Sequence, residues 1–92
     1  MKVSLNEAEN RFEVAVGDET ALLDYRWHHG HLALTHTFVP EAGRGKGIAA
    51  ALAKHALGYA KEQNLKVEIY CTYMAGYLKQ HPEYQSLVVR SV

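Results

Sequence analysis

The chain contains a glycine-rich loop in which glycines alternate with basic residues, Gly43-Arg44-Gly45-Lys46-Gly47, between a strand-like segment and an alanine-rich run. Glycine has no Cβ, so this backbone can turn sharply and let a ligand approach closely. A helix that begins here presents unpaired N–H groups and the positive end of its dipole. Arg44 and Lys46 add two full positive charges. The sequence therefore predicts a strand, a loop and a helix arranged around an anion, most simply a phosphate.

The letters of the loop distinguish between phosphate-binding motifs. The Walker pattern fails because Gly47 follows Lys46 where Ser or Thr is needed, and Pro40 occupies the position of its first glycine. Residues 45–50 match the loose dinucleotide pattern G-x-G-x-x-A, with Glu68 at about the spacing of a ribose contact. A dinucleotide fold, however, needs several βαβ units, and the chain before the loop has the pattern of consecutive strands. A nucleotide-binding module therefore remains a less favoured alternative, ranked after the two functions given below.

Length and charge narrow the class of protein further. Ninety-two residues suffice for one hydrophobic core, so we expect a single domain over residues 1–92. Ten basic and ten acidic residues give no net charge, which argues against nucleic-acid or membrane-surface partners attracted by bulk charge. The only cysteine cannot form an internal disulfide, and the first residues lack the apolar segment of a secretory signal. We therefore expect residence in the cytoplasm; as a separate expectation, the protein is a monomer.

Alternating apolar residues predict a meander of antiparallel strands before the loop and one more strand after the helix. The predicted strands span residues 2–6, 11–16, 20–28, 31–39 and 65–71. A long helix is expected from Gly45 or Gly47 to about Gln63, and a short one over residues 72–80. Residues 84–89 are expected to form a loose tail. Because a helix connects the last two strands, these should be parallel.

The loop and its flanks resemble one known family. Arg44 to Ala49 has the form R/Q-x-x-G-x-G/A and is similar to the acetyl-CoA pyrophosphate loop of the GNAT superfamily of N-acetyltransferases. The likeness extends upstream through His36-Thr37-Phe38-Val39-Pro40 and downstream through Cys71-Thr72-Tyr73 and His81-Pro82-Glu83-Tyr84. These flanks resemble the small YjdJ-type branch of N-acetyltransferase-domain-containing proteins. The resemblance covers about Phe12 to Leu87.

The resemblance implies a fold and an activity. The expected fold is α/β (α+β), a minimal GNAT-like domain with a mixed, mainly antiparallel sheet of about five strands, one long helix and a short C-terminal helix. The fourth and fifth strands should splay apart and admit the pantetheine arm of acetyl-CoA. The helices that usually cover the acceptor pocket are missing, as are the family's last two strands. The implied function is acetyl-CoA-dependent acetyl transfer to an unidentified amine; the alternative is a non-catalytic acetyl-CoA or CoA-binding or sensing module.

The resemblance also implies roles for individual residues. A backbone N–H near Phe38 or Val39 would polarise the acetyl carbonyl. Cys71 would lie beside the acetyl group, where its sulfur could accept that group transiently or only shape the pocket. Tyr73 or Tyr77, on the following helix, would protonate the departing CoA thiolate. The residues expected to bind acetyl-CoA are Phe38, Val39, Arg44, Gly45, Lys46, Gly47, Ile48, Ala49 and Tyr77; those expected to act in catalysis are Cys71, Tyr73 and His36.

The catalytic base has two candidates, each with a structural alternative. Strict alternation places His36 on one strand face with Leu32, Leu34 and Phe38. On that face His36 could be a buried histidine that does not act as a base, and Phe38 could be a core residue. Glu68 could act as a base from the fifth strand or simply face solvent. Ordered water could also deprotonate the amine, so a side-chain base is not essential.

The remaining candidates also have structural alternatives. Cys71 could be a small buried residue, and Tyr73 and Tyr77 could be packing aromatics. The run His28-His29-Gly30-His31 suggests a metal site, but neighbouring histidines on a hairpin point to opposite faces, and we expect no cysteine or carboxylate to complete a tetrahedral set. We therefore expect no metal.

Overall fold

A computed structural model describes all residues from Met1 to Val92. It contains one 6-stranded sheet whose strands follow one another in chain order. Strands β1 to β4 are antiparallel, β5 runs parallel to β4, and β6 runs parallel to β5. The strands are β1 (Ser4–Asn6), β2 (Arg11–Val16), β3 (Glu19–His28), β4 (His31–Phe38), β5 (Val67–Ile69) and β6 (Val88–Ser91). The helices are α1 (Ile48–Glu62) and α2 (Thr72–Gln80), with short 3-10 turns at Glu41–Gly43 and Pro82–Leu87.

The predicted fold class is confirmed, whereas two details at the C-terminal side are wrong. A sixth strand, Val88–Ser91, lies where part of a loose tail was expected. The fifth strand is only Val67–Ile69, shorter than the predicted residues 65–71. Both errors have one physical cause: such short segments gain their strand conformation from neighbours in the sheet, and their local pattern carries little information.

Both helices pack on one face of the sheet and bury a single core of 18 residues. Phe12 lies at its centre, fully buried, with its ring 5.5 Å from that of Tyr25 and 5.7 Å from those of His55 and Tyr59. Burying an aromatic side chain of this kind stabilises the fold by about 2–3 kcal/mol. Neither helix is long and apolar enough to cross a membrane. The other sheet face, which we call the open face, is covered by no helix and carries mostly polar side chains.

A β-bulge in β4 changes which side chains reach the core. Tyr25 pairs with Leu34, but the preceding residue, Asp24, pairs with His36, so Thr35 is an extra residue on β4. The Thr35 hydroxyl donates a hydrogen bond to the Asp24 carbonyl at 3.3 Å. An inserted residue reverses the alternation of side chains along the rest of a strand.

The bulge makes two predictions about β4 wrong. His36 is exposed and Phe38 is 43% exposed, whereas strict alternation placed both on the core face with Leu32 and Leu34. Because Thr37 pairs with the buried Leu23, its side chain points to the helix side instead. His36 and Phe38 therefore lie on the open face.

Candidate functional site

The start of α1 presents a row of backbone N–H groups without protein partners. The first intrahelical hydrogen bond runs from the Ala51 N–H to the Gly47 carbonyl at 3.0 Å. The N–H groups of residues 45–50 donate to no backbone or side-chain acceptor. Unpaired N–H groups at a helix N-terminus, aligned with the helix dipole, form a binding site for an anion.

The glycines of the loop give this row its shape. Gly45 and Gly47 have φ angles of 77° and 75°, a left-handed conformation that side chains other than glycine adopt at a cost. Gly43 matters for a different reason, because a Cβ there would lie 2.9 Å from Cδ1 of Ile48 and that side chain would have to shift. Glycines at these positions therefore let the loop take this shape without backbone strain and without displacing Ile48.

A cavity of about 250 Å³ opens beside the loop and extends towards α2. Arg44 lines it, and the Arg44 Nε donates to the Val39 carbonyl at 3.2 Å. Lys46, expected in the same site, instead lines a second cavity on the β2 side of the loop together with Lys2. The first cavity is lined by Val39, Gly43, Arg44, Gly45, Gly47, Ile48, Ala49, Ala50 and Tyr73.

The strands β4 and β5 part close to this cavity. Their ladder ends at the pair Leu34 and Ile69, and its last hydrogen bond runs from the Tyr70 N–H to the Leu34 carbonyl at 3.0 Å. Beyond that point β4 continues to Phe38 without a β5 partner. We call the space between these segments the gap.

Backbone N–H groups of β4 face the gap. The register of the antiparallel ladder directs the N–H of Phe38 towards β3 and those of Thr37 and Val39 towards the gap. The Val39 N–H donates no hydrogen bond within the protein. Of the two residues expected to polarise a carbonyl through the backbone, Val39 therefore has the suitable orientation and Phe38 does not.

Cys71 lies directly across the gap from β4. Its Sγ is 3.3 Å from Oγ1 of Thr37, and its side chain is partly exposed. Cys71 also stands at the N-cap position of α2. Thr37 is a site residue that sequence reasoning missed, because its inward orientation depends on the bulge.

The two tyrosines of α2 occupy different environments. Tyr73 is 38% exposed and lines the cavity, and burial of its ring together with the nearby Cys71 raises the pKa of its phenol. Tyr77, expected to bind the cofactor, is only 9% exposed, packs in the core and stacks on His81 at 4.0 Å. Only Tyr73 therefore presents a phenol, protonated at neutral pH, to the cavity.

Glu68 is neither a free base nor a solvated side chain. It is 4% exposed, and its carboxylate interacts with the hydroxyl of Tyr70 at 2.5 Å and with Nδ1 of His28 and His31 at 2.9 Å and 2.7 Å. Hydrogen bonds from these partners, of which the one from Tyr70 has the largest effect, lower the pKa of Glu68 to about 2. The hydrogen bond to Glu68 in turn raises the pKa of Tyr70. A carboxylate this acidic and already hydrogen-bonded is a poor proton acceptor at neutral pH.

The His28 to His31 turn, considered above as a metal site, has a different arrangement from the one expected. His28 and His31 lie on the same face, because they pair across the hairpin, and Glu68 bridges them. No group of three or more His, Cys, Asp or Glu residues has an arrangement that could hold a metal ion. The cluster of His28, His31, Glu68 and Tyr70, which we call the Glu68 cluster, is a hydrogen-bond network.

Acid should weaken the fold through Glu68. A carboxyl group whose pKa is lowered by folding stabilises the protein above its unfolded pKa and loses that contribution as the pH falls. We expect the free energy of unfolding to decrease between about pH 5 and pH 2, and this part of the decrease to be absent in Glu68→Gln. Urea unfolding at several pH values measures it, with Glu83→Gln, an exposed carboxylate 3.6 Å from His81, as control. An equal pH dependence in both variants would contradict the assignment.

Known proteins match the chain in sequence. A model of the family described as GCN5-related N-acetyl-transferase matches residues 11–87. Protein NATD1 from Gallus gallus and from Homo sapiens is 49% identical over 49 residues, which make up 53% of this chain and 44% and 43% of those proteins. Protein NATD1 from Danio rerio is 44% identical over 54 residues. The matched segment thus spans less than half the length of these relatives.

A solved structure matches the fold. The NMR solution structure of a GCN5-like protein from Staphylococcus aureus superposes with a TM-score of 0.70 and covers 97% of this chain and 88% of that chain. The two sequences are 23% identical, so this likeness concerns the fold alone. The shared fold includes the strand, loop and helix that carry the row of N–H groups.

Proposed function

Because the chain belongs to the family of GCN5-related N-acetyltransferases, we propose that it transfers the acetyl group of acetyl-CoA to an amine. The observation that carries the proposal is the row of unpaired N–H groups at residues 45–50, beside Arg44 and at the mouth of the gap. A pyrophosphate bound there would leave the pantetheine arm free to run past Tyr73 towards Val39 and Cys71. The cavity beside the loop supports this path.

In the proposed reaction the amine nitrogen attacks the acetyl carbonyl carbon and the carbon–sulfur bond breaks. Negative charge develops on the carbonyl oxygen, where the Val39 N–H, which has no other acceptor, can donate a hydrogen bond. The departing thiolate takes a proton from the Tyr73 phenol, and the amine loses one to water or to His36. His36 is solvent-exposed on the open face, which makes it accessible to an amine that approaches from that side.

Cys71 has two proposed roles that differ in covalent chemistry. Its thiolate could attack the acetyl carbonyl, forming an acetyl-cysteine and releasing CoA, and the amine would then take the acetyl group and free the thiolate. Alternatively it could shape the pocket while the amine attacks acetyl-CoA directly. The 3.3 Å contact with Thr37 places the sulfur in the gap in either case.

A second candidate function is a non-catalytic acetyl-CoA or CoA-binding module. The open face favours it, because no helix covers the side of the gap from which an amine would approach. Such a protein would bind acetyl-CoA with the same loop but would not turn over. The cytoplasmic location, the monomeric state and the membership of the YjdJ-type branch stay predictions.

Calorimetric titration with acetyl-CoA and with NAD, run beside intact-mass spectrometry, tests the proposal. We expect acetyl-CoA to bind and NAD not to bind. A mass gain of one acetyl group that is lost in Cys71→Ala would support the covalent route, and binding without that gain would support direct transfer or the non-catalytic module. A screen of amine acceptors for CoA release then separates these two. Binding of NAD but not of acetyl-CoA would overturn the proposed function.

A further inference from the structure

The Glu68 cluster joins three segments of the sheet on the open face. Its carboxylate receives hydrogen bonds from His28 at the end of β3, from His31 at the start of β4 and from Tyr70 just beyond β5. In the ladder Glu68 pairs with Ala33, one residue before the pair at which β4 and β5 part. The cluster therefore lies immediately before the gap along β5.

Tyr70 connects the cluster to the gap. Its N–H makes the last hydrogen bond to β4, its hydroxyl donates to Glu68, and the next residue is Cys71. If the phenol left Glu68, the backbone at this point would lose the only side-chain hydrogen bond that holds it on the open face. The position of Cys71 opposite Thr37 would then be less defined.

The two faces of the sheet hold β5 in different ways. On the helix side, the buried Val67 and Ile69 pack in the core. On the open face no helix covers β5, so there the hydrogen bonds of the Glu68 cluster supplement the backbone bonds that tie the end of β5 to β4 and β6. A strand of three residues forms few ladder bonds, so the hydrogen bonds of Glu68 and Tyr70 are a large share of the polar contacts around its end.

We propose that Glu68 is a positioning residue, which with His28, His31 and Tyr70 fixes the point where β4 and β5 part and thereby places the gap for the acetyl end of acetyl-CoA. This inference rests on the proposed function. It assigns Glu68 no contact with the reacting atoms and no proton transfer. The loop at residues 43–47 lies beyond the opposite end of β4, so its anion site should not depend on the cluster.

Titration of 15N-labelled protein with acetyl-CoA, followed by NMR, tests whether the gap depends on the Glu68 cluster while the loop does not. In the unsubstituted protein we expect shifts in the amide signals of the loop, Gly45 and Gly47, and of the gap, Thr37 and Val39. In Glu68→Gln the loop signals should still shift at saturation, whereas the gap signals should shift less. The affinity should fall by about tenfold, since only contacts of the acetyl end are lost.

Two further variants complete the experiment. Tyr70→Phe removes one hydroxyl and leaves the carboxylate in place, so it serves if Glu68→Gln does not fold, with the same selective loss at the gap. Glu83→Gln, a glutamate outside the cluster, should behave as the unsubstituted protein. Equal shifts in loop and gap for every variant would overturn the inference and leave the proposed function standing. No shift in the unsubstituted protein would overturn the proposed function and this inference with it.

Discussion

Gly47→Glu is expected to abolish acetyl-CoA binding while the protein remains folded. Gly47 is the N-cap of α1, and its N–H belongs to the row at residues 45–50. A glutamate here would place a negative charge beside that row, where it repels phosphate and competes for the same donors. We expect the affinity, measured by calorimetry, to fall by about a hundredfold or more.

The same substitution should cost the fold only modestly. A Cβ at Gly47 meets no atom within 4 Å, so the penalty comes from its φ of +75°. Placing a side chain in the left-handed region costs about 1–2 kcal/mol, part of which a carboxylate at a helix N-terminus offsets. Circular dichroism and urea unfolding should therefore show a folded, slightly destabilised protein.

Gly30→Glu is the matched control. Gly30 has a φ of +77°, also has nothing within 4 Å of a Cβ, and lies in the hairpin turn at the far end of β4. It should lose a similar amount of stability, and because His28 and His31 of the Glu68 cluster flank the turn, its affinity for acetyl-CoA should fall by about tenfold at most. An unchanged affinity in folded Gly47→Glu would show that the anion binds elsewhere, and an equal loss in both variants would show that backbone strain is responsible.

The row of unpaired N–H groups could be predicted from sequence because its information is local. Glycines at 43, 45 and 47 next to Arg44 and an alanine-rich helix already define which N–H groups stay unpaired, and the structure places these residues together. Local information also explains why α2 was predicted with its observed bounds, Thr72–Gln80. The fold class follows from the same patterns of strand, loop and helix.

The arrangement of side chains around the gap could not be predicted from local sequence. The extra residue at Thr35 leaves no mark in the sequence, yet it decides that Thr37 faces Cys71 and that His36 faces the open side. The burial of Glu68 likewise depends on partners 40 and 37 positions away, His28 and His31. A pattern of alternation describes one strand, whereas these contacts depend on register between strands.

The second large effect concerns turnover and follows from the proposal that Tyr73 is the general acid. Tyr73→Phe should lower turnover by roughly a hundredfold, the usual contribution of a positioned proton donor, and change the affinity for acetyl-CoA little. Tyr73 lines the cavity and is 38% exposed, so loss of its hydroxyl should leave the fold intact. Since burial raises its pKa, the phenol should stay protonated up to at least its ordinary value of about 10.

Turnover would be followed as release of the CoA thiol with the best amine from the acceptor screen. Tyr59→Phe is the control, because Tyr59 lies on α1 against Phe12, away from the cavity beside the loop, and should turn over normally. The proton from Tyr73 is used only when the thiolate leaves, after acetyl-CoA has bound. The deficit should therefore concern the maximal rate rather than binding. Normal turnover in Tyr73→Phe would mean that water supplies the proton, and would leave Tyr73 as part of the cavity wall.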